Sequence, residues 1–577
     1  MGGIKIVKKF IGKLVSLSLV AAMLLVMPGC GTSDESGAVS DGSGSVSNEQ
    51  SDTSNVQSDT SNEQSNASDE QSVASGEKIV NIGITDSLGA INPLTIDQTW
   101  VNKYAVGLEF LPLVDLDSEM DFQSMLADSV TTEDNMNFVV HIDENATWSD
   151  GTPVTAEDVE FTVRRLASPV IANPTLMLYA FEGVNDDGFV EEGAESIAGV
   201  QVLDEKTIRF TTKYPIALTT FENTYAFYIH TLPKHVLEQY TEAELSTLDW
   251  FNHPDVVSGP YIVTDYDVDH YISYTANENY WKGAPKIGKL NFRILDSSQI
   301  YAGLQSGEID ATHHTMTAIP QEDYENIEAL ENIDVIYGSP VTNQSVFIQT
   351  ANLPDKRVRQ ALLYAIDRNQ ILEQLMKGHG EVVDGFLSSA GPFYDETITP
   401  TPYDPEKAKE LLEEAGWDGS QTLRFFVNSG DGTFVNAAQV IVAQWAAVGV
   451  QAEIQTVDLA ALMELAGTND YDLFAVQYTY APIDPYPDIA WLLGGEGSWT
   501  GYADEAINEA LESTQTAGSI GEIKDFYSVV DKKVQEDVPM FSAYIISAQG
   551  AVNKRLTGVN ADVYGFFANV QEWDIVE

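Results

Sequence analysis

Apolar and polar positions first alternate regularly at Ile79-Val-Asn-Ile-Gly-Ile84, which predicts a strand. Phe138, Val140 and Ile142 repeat the pattern and predict another. The period then lengthens. Thr155-Ala-Glu-Asp158 has the spacing of a capping box, and Val159, Val163 and Leu166 fall on one helical face behind it. Val358, Ala361, Leu362, Ala365 and Ile366 stand at i, i+3, i+4, i+7 and i+8, predicting a single helix that stops before Gly378. Asp404-Pro405 opens a further helix whose stripe of Ala408, Leu411, Leu412 and Ala415 ends at Gly416. Trp148-Ser-Asp-Gly151 between two such elements predicts a turn with Trp148 as its core anchor. Strands and helices interleave from residue 78 onward, so the class is α/β or α+β.

Before residue 78 the pattern is of another kind. Lys5, Lys8, Lys9 and Lys13 precede an uncharged, mostly apolar run of 14 residues, 14–27, which suits a signal-peptide core and is too short to span a bilayer comfortably. Met27-Pro28-Gly29-Cys30 closes it with the only cysteine of the chain. A small residue before a cysteine resembles a bacterial lipobox, whose cysteine receives a diacylglyceryl group; Met27 and Pro28 depart from the usual residues there. Residues 1–29 are therefore expected to be a lipoprotein signal peptide. Residues 30–77 are expected to be the lipidated Cys30 and a disordered tether: 31–77 hold no aromatic residue, Leu, Ile, Lys or Arg. Ser51-Asp-Thr-Ser-Asn-Val-Gln57 is repeated at Ser58-Asp-Thr-Ser-Asn-Glu-Gln64, without the apolar seam of a coiled coil. So polar a tract cannot offset its ordering entropy by burial.

Composition narrows the function classes. The 577 residues carry 29 Lys and Arg against 88 Asp and Glu, a net charge of −59, which becomes −63 once four lysines leave with residues 1–29. Such a charge excludes nucleic acid as the main partner, since phosphate binding needs a basic face. It also opposes unaided docking on an anionic membrane. A single cysteine excludes a disulfide framework and multi-cysteine metal sites. With 44% hydrophobic and 10% aromatic residues the rest can bury a substantial core.

Leu126-Ala-Asp-Ser129 and Trp148-Ser-Asp-Gly-Thr-Pro-Val-Thr-Ala-Glu-Asp-Val159 resemble the signature of the extracellular solute-binding proteins of family 5, the dipeptide- and oligopeptide-binding proteins of ABC importers. Thr231-Leu-Pro-Lys-His-Val-Leu237, Ser258-Gly-Pro-Tyr261, Asn277-Glu-Asn-Tyr-Trp-Lys-Gly-Ala-Pro285, Leu304-Gln-Ser-Gly-Glu-Ile-Asp310, Asp355-Lys-Arg-Val-Arg-Gln-Ala-Leu362 with Ala365-Ile-Asp-Arg368, and Tyr403-Asp-Pro-Glu-Lys-Ala-Lys409 follow in the family's order. The resemblance runs through nearly all of 78–577. It implies a two-lobed, periplasmic-binding-protein-like α/β fold with an extra subdomain in the first lobe. Residues 78–340 would form lobe I with that subdomain, 341–543 lobe II, and 544–577 the return to lobe I. The crossings would fall near 338–342 and 543–547, and the solute would lie between the lobes. These motifs are mainly scaffold; Arg357, Arg359, Asp367 and Arg368 read as surface pairs on a helix.

For the site, the segment 92–103 approaches the ligand by resemblance, with Trp100 as its large residue. The richest stretch is Tyr478-Thr-Tyr-Ala-Pro-Ile-Asp-Pro-Tyr-Pro-Asp-Ile-Ala-Trp491, which reads as a proline-stiffened loop, poor as helix or central strand. Tyr478 matches an aromatic that lines the pocket in oligopeptide binders. Their carboxylate three residues on, which pairs with the ligand's α-amino group, is Ala481 here, leaving Asp484 to supply the charge. Tyr480, Tyr544 and Asn428 complete the ligand-binding set; Trp491 reads as core. The Ala481 departure keeps an oligosaccharide or other small solute open beside a peptide.

His313-His314 is a weak metal candidate, because adjacent side chains point apart in a strand. No H-E-x-x-H, P-loop or G-x-S-x-G occurs, and Gly430-Asp-Gly432 lacks a dinucleotide fingerprint's third glycine. The expectation is a monomeric binding protein without catalytic residues, cofactor or metal. Its partners would be a peptide or other small solute and ABC permease subunits with their ATPases, and only its lipid anchor would touch the membrane, on the extracellular face of a Gram-positive-like cell. A receptor that presents its ligand to a sensor is the alternative; a secreted hydrolase is disfavoured.

Overall fold

The computed structural model describes residues 78–576 apart from 90, 97, 98, 174, 175, 177, 192, 430, 431, 494–497 and 561. The signal peptide, Cys30, the tether, Gly430 and Asp431 lie outside the described residues. Ile79–Ile84 and Asn137–Ile142 are strands. The helix Ala156–Leu166 starts in a capping box in which the Asp158 carboxylate accepts the Thr155 backbone N–H at 2.8 Å. The helix Pro405–Ala415 is capped by Asp404, which accepts the Lys407 N–H at 2.9 Å, and ends at Gly416 with φ 73°. Trp148 is fully buried in its turn, and its backbone N–H donates to the Thr152 carbonyl.

Two expectations need correcting. The single helix before Gly378 is two helices, Lys356–Tyr364 and Arg368–Met376. Asp367 leaves helical geometry and caps the second, accepting the Gln370 N–H at 3.0 Å, so a good N-cap residue overrides a continuous apolar stripe. Arg359 and Arg368 are not surface pairs; both are buried. Arg359 donates to the carbonyls of Leu353, Pro354, Asp537 and Val538, and Arg368 is paired with Asp384.

The strands form two large sheets. The first runs in the order Ile333–Tyr337, Gln549–Asn553, Ala311–Thr312, Ile79–Ile84, Lys289–Ile294, Tyr271–Ala276, Tyr261–Asp267. The second runs Gly380–Glu381, Met540–Ile546, Thr342–Ile348, Leu473–Thr479, Thr422–Asn428, Gln451–Val457. A smaller four-stranded sheet, Ala127–Thr132, Asn137–Ile142, Thr207–Thr211 and Val200–Val202, shares one continuous hydrophobic core with the first large sheet. In the second sheet, alternate residues face opposite cores. Leu473 and Ala475 pack on one side, and Phe474, Val476 and Tyr478 on the other, as the two-residue period of a strand dictates.

The chain passes from the first sheet to the second between Tyr337 and Thr342 and returns between Ile546 and Gln549. The outgoing and returning strands pair antiparallel in both sheets, so the crossing is a two-stranded ribbon. Gly338 donates its N–H to the Ala548 carbonyl at 2.9 Å between them. A Cβ at Gly338 would stand 2.8 Å from the His314 and Val563 side chains, so the ribbon packs closely on lobe I at this point. A hinge of two adjacent segments lets two lobes rotate about one axis.

Candidate functional site

The loop that leads into the lobe junction springs from the strand Leu473–Thr479, central in its sheet. Here the reading of 478–491 as a proline-stiffened loop is corrected. Tyr478 and Thr479 end the strand, 480–485 make the loop, and Tyr486–Leu493 is a helix. Pro485 stands just before that helix and Pro487 within its first turn, where backbone N–H groups have no intrahelical acceptor to lose.

Tyr478 is 3% exposed, with its ring near Phe347 and Phe386 at 6.4 and 6.3 Å and its hydroxyl 3.4 Å from Ser345 Oγ. Tyr480 is buried next to it; its hydroxyl donates to Ser388 Oγ and accepts the Ser388 N–H, both at 2.9 Å. The Tyr480 carbonyl in turn accepts from the hydroxyl of Tyr564, which belongs to the returning chain of lobe I. Trp100, at the start of the helix Trp100–Gly107, meets Tyr564 edge-on at 5.4 Å and stacks on Tyr104 at 5.8 Å.

Asp484 also crosses the junction. Its Oδ1 accepts from Thr220 Oγ1 of lobe I at 3.0 Å, while Oδ2 is buried without a hydrogen-bond partner among the described residues. Burial pushes its carboxyl up to about 7 against the pull of the Thr220 and Asn223 side chains. One helical turn on, burial and then the like charge of Asp484 push Asp488 to about 7 as well. Neither acid is offset by a neighbouring lysine, arginine or histidine among the described residues. The nearby buried ammonium, Lys103, is committed elsewhere: it lies 3.3 Å from Asp115 and 3.0 Å from the centre of the Phe227 ring, and burial lowers it to about 8. Asn135 adds a further contact between lobes by donating to the Gln515 and Ala517 carbonyls at 3.2 and 3.3 Å.

Of the residues singled out in the sequence, Trp100, Tyr480 and Asp484 are thus gathered at the lobe junction. Tyr478 and Asn428 stand at the C-terminal ends of two neighbouring parallel strands of the second sheet, the first of which leads into the loop. Tyr544 is buried in the lobe II core, its ring 6.4 Å from Phe434. Thr220, Tyr228, Asp488 and Tyr564 were not read from the sequence. For Asp488 a signal existed, since it follows Asp484 at i+4; the tyrosines of lobe I lie far along the chain from their neighbours, Tyr564 84 residues from Tyr480, and left none. His313 and His314 are buried with ring centres 6.3 Å apart, and His314 Nε2 is 3.0 Å from the Ile336 carbonyl. No group of three metal-ligating side chains occurs among the described residues.

A junction of this kind can hold a solute between aromatic faces and set a positive charge against carboxylates. Residues 121–500 match the model of the bacterial extracellular solute-binding proteins, family 5 Middle. The chain is 24% identical over 485 residues to the oligopeptide-binding protein AppA of Bacillus subtilis, covering 80% of this chain and 85% of AppA. It is 25% identical over 387 residues to the glutathione-binding protein GsiB of Shigella flexneri, covering 66% and 70%. The structure of Bacillus subtilis AppA in complex with a nonapeptide superposes with a TM-score of 0.65 at 21% identity, covering 87% of this chain and all of that one.

Proposed function

The chain belongs to the bacterial extracellular solute-binding proteins of family 5, and from that premise we propose that it captures a peptide-like solute between its lobes and delivers it to the permease of an ABC transporter. One observation carries the reading. Two carboxylates, Asp484 and Asp488, stand at the lobe junction beside Trp100, Tyr480 and Tyr564 with no protein cation among the described residues to neutralise them. A buried carboxylate left unpaired is costly. The ammonium of a peptide supplies the missing charge, with Asp484 taking the part that Ala481 cannot. The oligopeptide-binding relative AppA, whose solved structure holds a nonapeptide, supports the ligand class. The protein does no chemistry on its solute and works as a monomer. An oligosaccharide is the second reading, favoured by the aromatic faces and by the apolar Ala481.

Mass spectrometry of small molecules released on denaturing the purified protein is expected to yield unmodified peptides. Adding them back is expected to raise the melting temperature by mass action, about 2.7 kcal/mol at a hundredfold excess over Kd. Recovery of sugars, or of a solute chemically altered by the protein, would overturn the peptide-capture reading.

The lysine-rich start, the apolar 14–27 and Gly29-Cys30 support lipidation of Cys30, anchoring on the extracellular face of the cell membrane, and a tether through 31–77. Cys30→Ala is expected to move the protein from the membrane fraction to the medium or to stall it uncleaved. Unchanged fractionation, together with a wild-type mass free of acyl groups, would count against the anchor.

A further inference from the structure

A small cavity lies within lobe II, behind the wall of the lobe junction. The helix Ile520–Asp537 packs there on the segment 383–401, with Tyr527 and Phe393 in ring contact at 5.2 Å. Two polar residues of the helix are answered across this contact. Gln535 Nε2 donates to Asp384 Oδ2 at 2.7 Å and to the Thr399 carbonyl at 2.8 Å, and Lys532 Nζ stands 3.5 Å from Asp395 Oδ2. Asp531, one turn before Gln535, is 8% exposed, and its Oδ1 is buried without a hydrogen-bond partner among the described residues. A Cβ at Gly385 would stand 2.5 Å from that oxygen, so the carboxylate rests directly on the Gly385 backbone, where only glycine leaves it room. Gly385 and Asp531 both line the cavity, together with Asp384, Tyr394, Asp395 and Ile398.

Charge does not balance around it. Asp384 is paired with Arg368 and accepts from Thr401, and Asp395 accepts from Thr397 and faces Lys532. Asp531 is left as the unanswered acid. Burial, then the like charges of Asp384 and Asp395, push its carboxyl up to about 8 against a hydrogen bond from the Phe386 backbone N–H. A proton on Oδ1 would not complete the site, because an O–H there lacks an acceptor as the bare oxygen lacks a donor, and buried polar atoms are seldom left so. We propose that this cavity is a monovalent-cation site in which a sodium or potassium ion sits on Asp531 Oδ1 beside Gly385. One unanswered carboxylate carries a single negative charge, which a monovalent ion cancels. A calcium ion would ask for about six to eight oxygens, and no group of three acidic or histidine ligands gathers among the described residues. An ion held there braces the segment 383–388, which walls the solute site: the Phe386 ring lies 6.3 Å from that of Tyr478, and Ser388 meets the Tyr480 hydroxyl through its N–H and its Oγ, both at 2.9 Å.

Thermal unfolding of the full chain at a constant ionic strength of about 0.15 M tests this. Sodium, potassium, magnesium or calcium chloride replaces the chloride of N-methylglucamine, a cation too large for the cavity; constant ionic strength keeps the screening of the acidic surface nearly equal. Sodium or potassium is expected to raise the melting temperature of the wild type by about 2 °C or more, as an ion bound only by the folded state does. Asp531→Asn, isosteric and uncharged, is expected to cut that shift to about a quarter or less. An equal response of the wild type and Asp531→Asn, or no response of either, overturns the site. A response to magnesium or calcium alone that Asp531→Asn removes overturns the monovalent assignment. Hydrogen exchange on the wild type needs no variant: the amides of 383–388 are expected to exchange more slowly in sodium or potassium than in N-methylglucamine, and unchanged exchange there overturns the site. Neither measurement uses a solute, so both outcomes stand apart from peptide capture.

Discussion

Arg368→Met is expected to destabilise lobe II by about 3–5 kcal/mol, the cost of stranding one member of a buried ion pair. Arg368 and Asp384 are buried at 2.5 Å separation. The guanidinium also donates to the carbonyls of Val383, Ser542 and Thr401, and the carboxylate accepts from Thr401 and from Gln535. Arg368 opens its helix, Ser542 lies in the strand Met540–Ile546, and Gln535 lies in the helix Ile520–Asp537. The pair therefore joins three elements through one charged contact. Methionine matches the length and supplies none of the donors, so a carboxylate and three carbonyls lose a partner together. Asp384→Leu in the Arg368→Met background is expected to recover part of the loss, because the stranded charge goes with it. Urea unfolding of the wild type and the two variants measures both steps; a single variant within about 1 kcal/mol of wild type would show that the pair contributes little.

The second large effect is on binding. Asp484→Ala is expected to weaken a peptide with a free amine by about 2–5 kcal/mol, the scale for removing one partner of a buried charge pair. A solute held by hydrogen bonds alone would lose about 1–3 kcal/mol. The pH dependence separates the two. Closure on a neutral solute takes the Asp484 carboxyl from a solvated cleft to a site where burial raises it to about 7. A raised pKa means that closure takes up a proton. It is favoured in full below the ordinary carboxylate range, and the advantage is lost as pH rises towards 7. Asp488 moves the same way, and the neighbouring Tyr225, Tyr486 and Tyr527 stay neutral throughout, burial raising each of them. A cationic solute keeps the carboxylate ionised and removes the proton uptake. Calorimetry at pH 5 and pH 8 should therefore show the N-acetyl peptide losing affinity as pH rises while the free peptide holds. Equal pH dependence of both, with wild-type affinity in Asp484→Ala, would place the solute away from this loop.

What could be read in the chain divides along physical lines. Elements set by local preference were legible: the strand at Ile79, the capping box at Thr155, and the helix from Pro405 to Ala415, each decided within a few residues by periodicity, a cap or a left-handed glycine. Local signals failed where one element borrowed support from another. The apolar stripe from Val358 to Ile366 gave no warning that Asp367 would begin a second helix. Arg359 and Arg368 looked like surface charges because their carbonyl acceptors lie on the strand and helix ends that fold against them. Pro485 and Pro487 spoke against a helix that tolerates one just before its start and the other in its opening turn.

The site divides in the same way. Sequence alone singled out Trp100, Tyr480 and Asp484, which the structure gathers at the lobe junction. Only the tertiary structure put Thr220 on Asp484, Tyr564 on Tyr480 and Tyr228 within reach of Asp488. Those neighbours are separated in sequence by 84 to 264 residues where hydrogen bonds join them, and they meet because a two-stranded crossing brings distant segments of two lobes face to face. Acidity was plain from a chain with 88 Asp and Glu. Which of those acids would stand buried, unpaired and beside one another was decided by desolvation at the junction, a property of the packed lobes that no stretch of sequence carries.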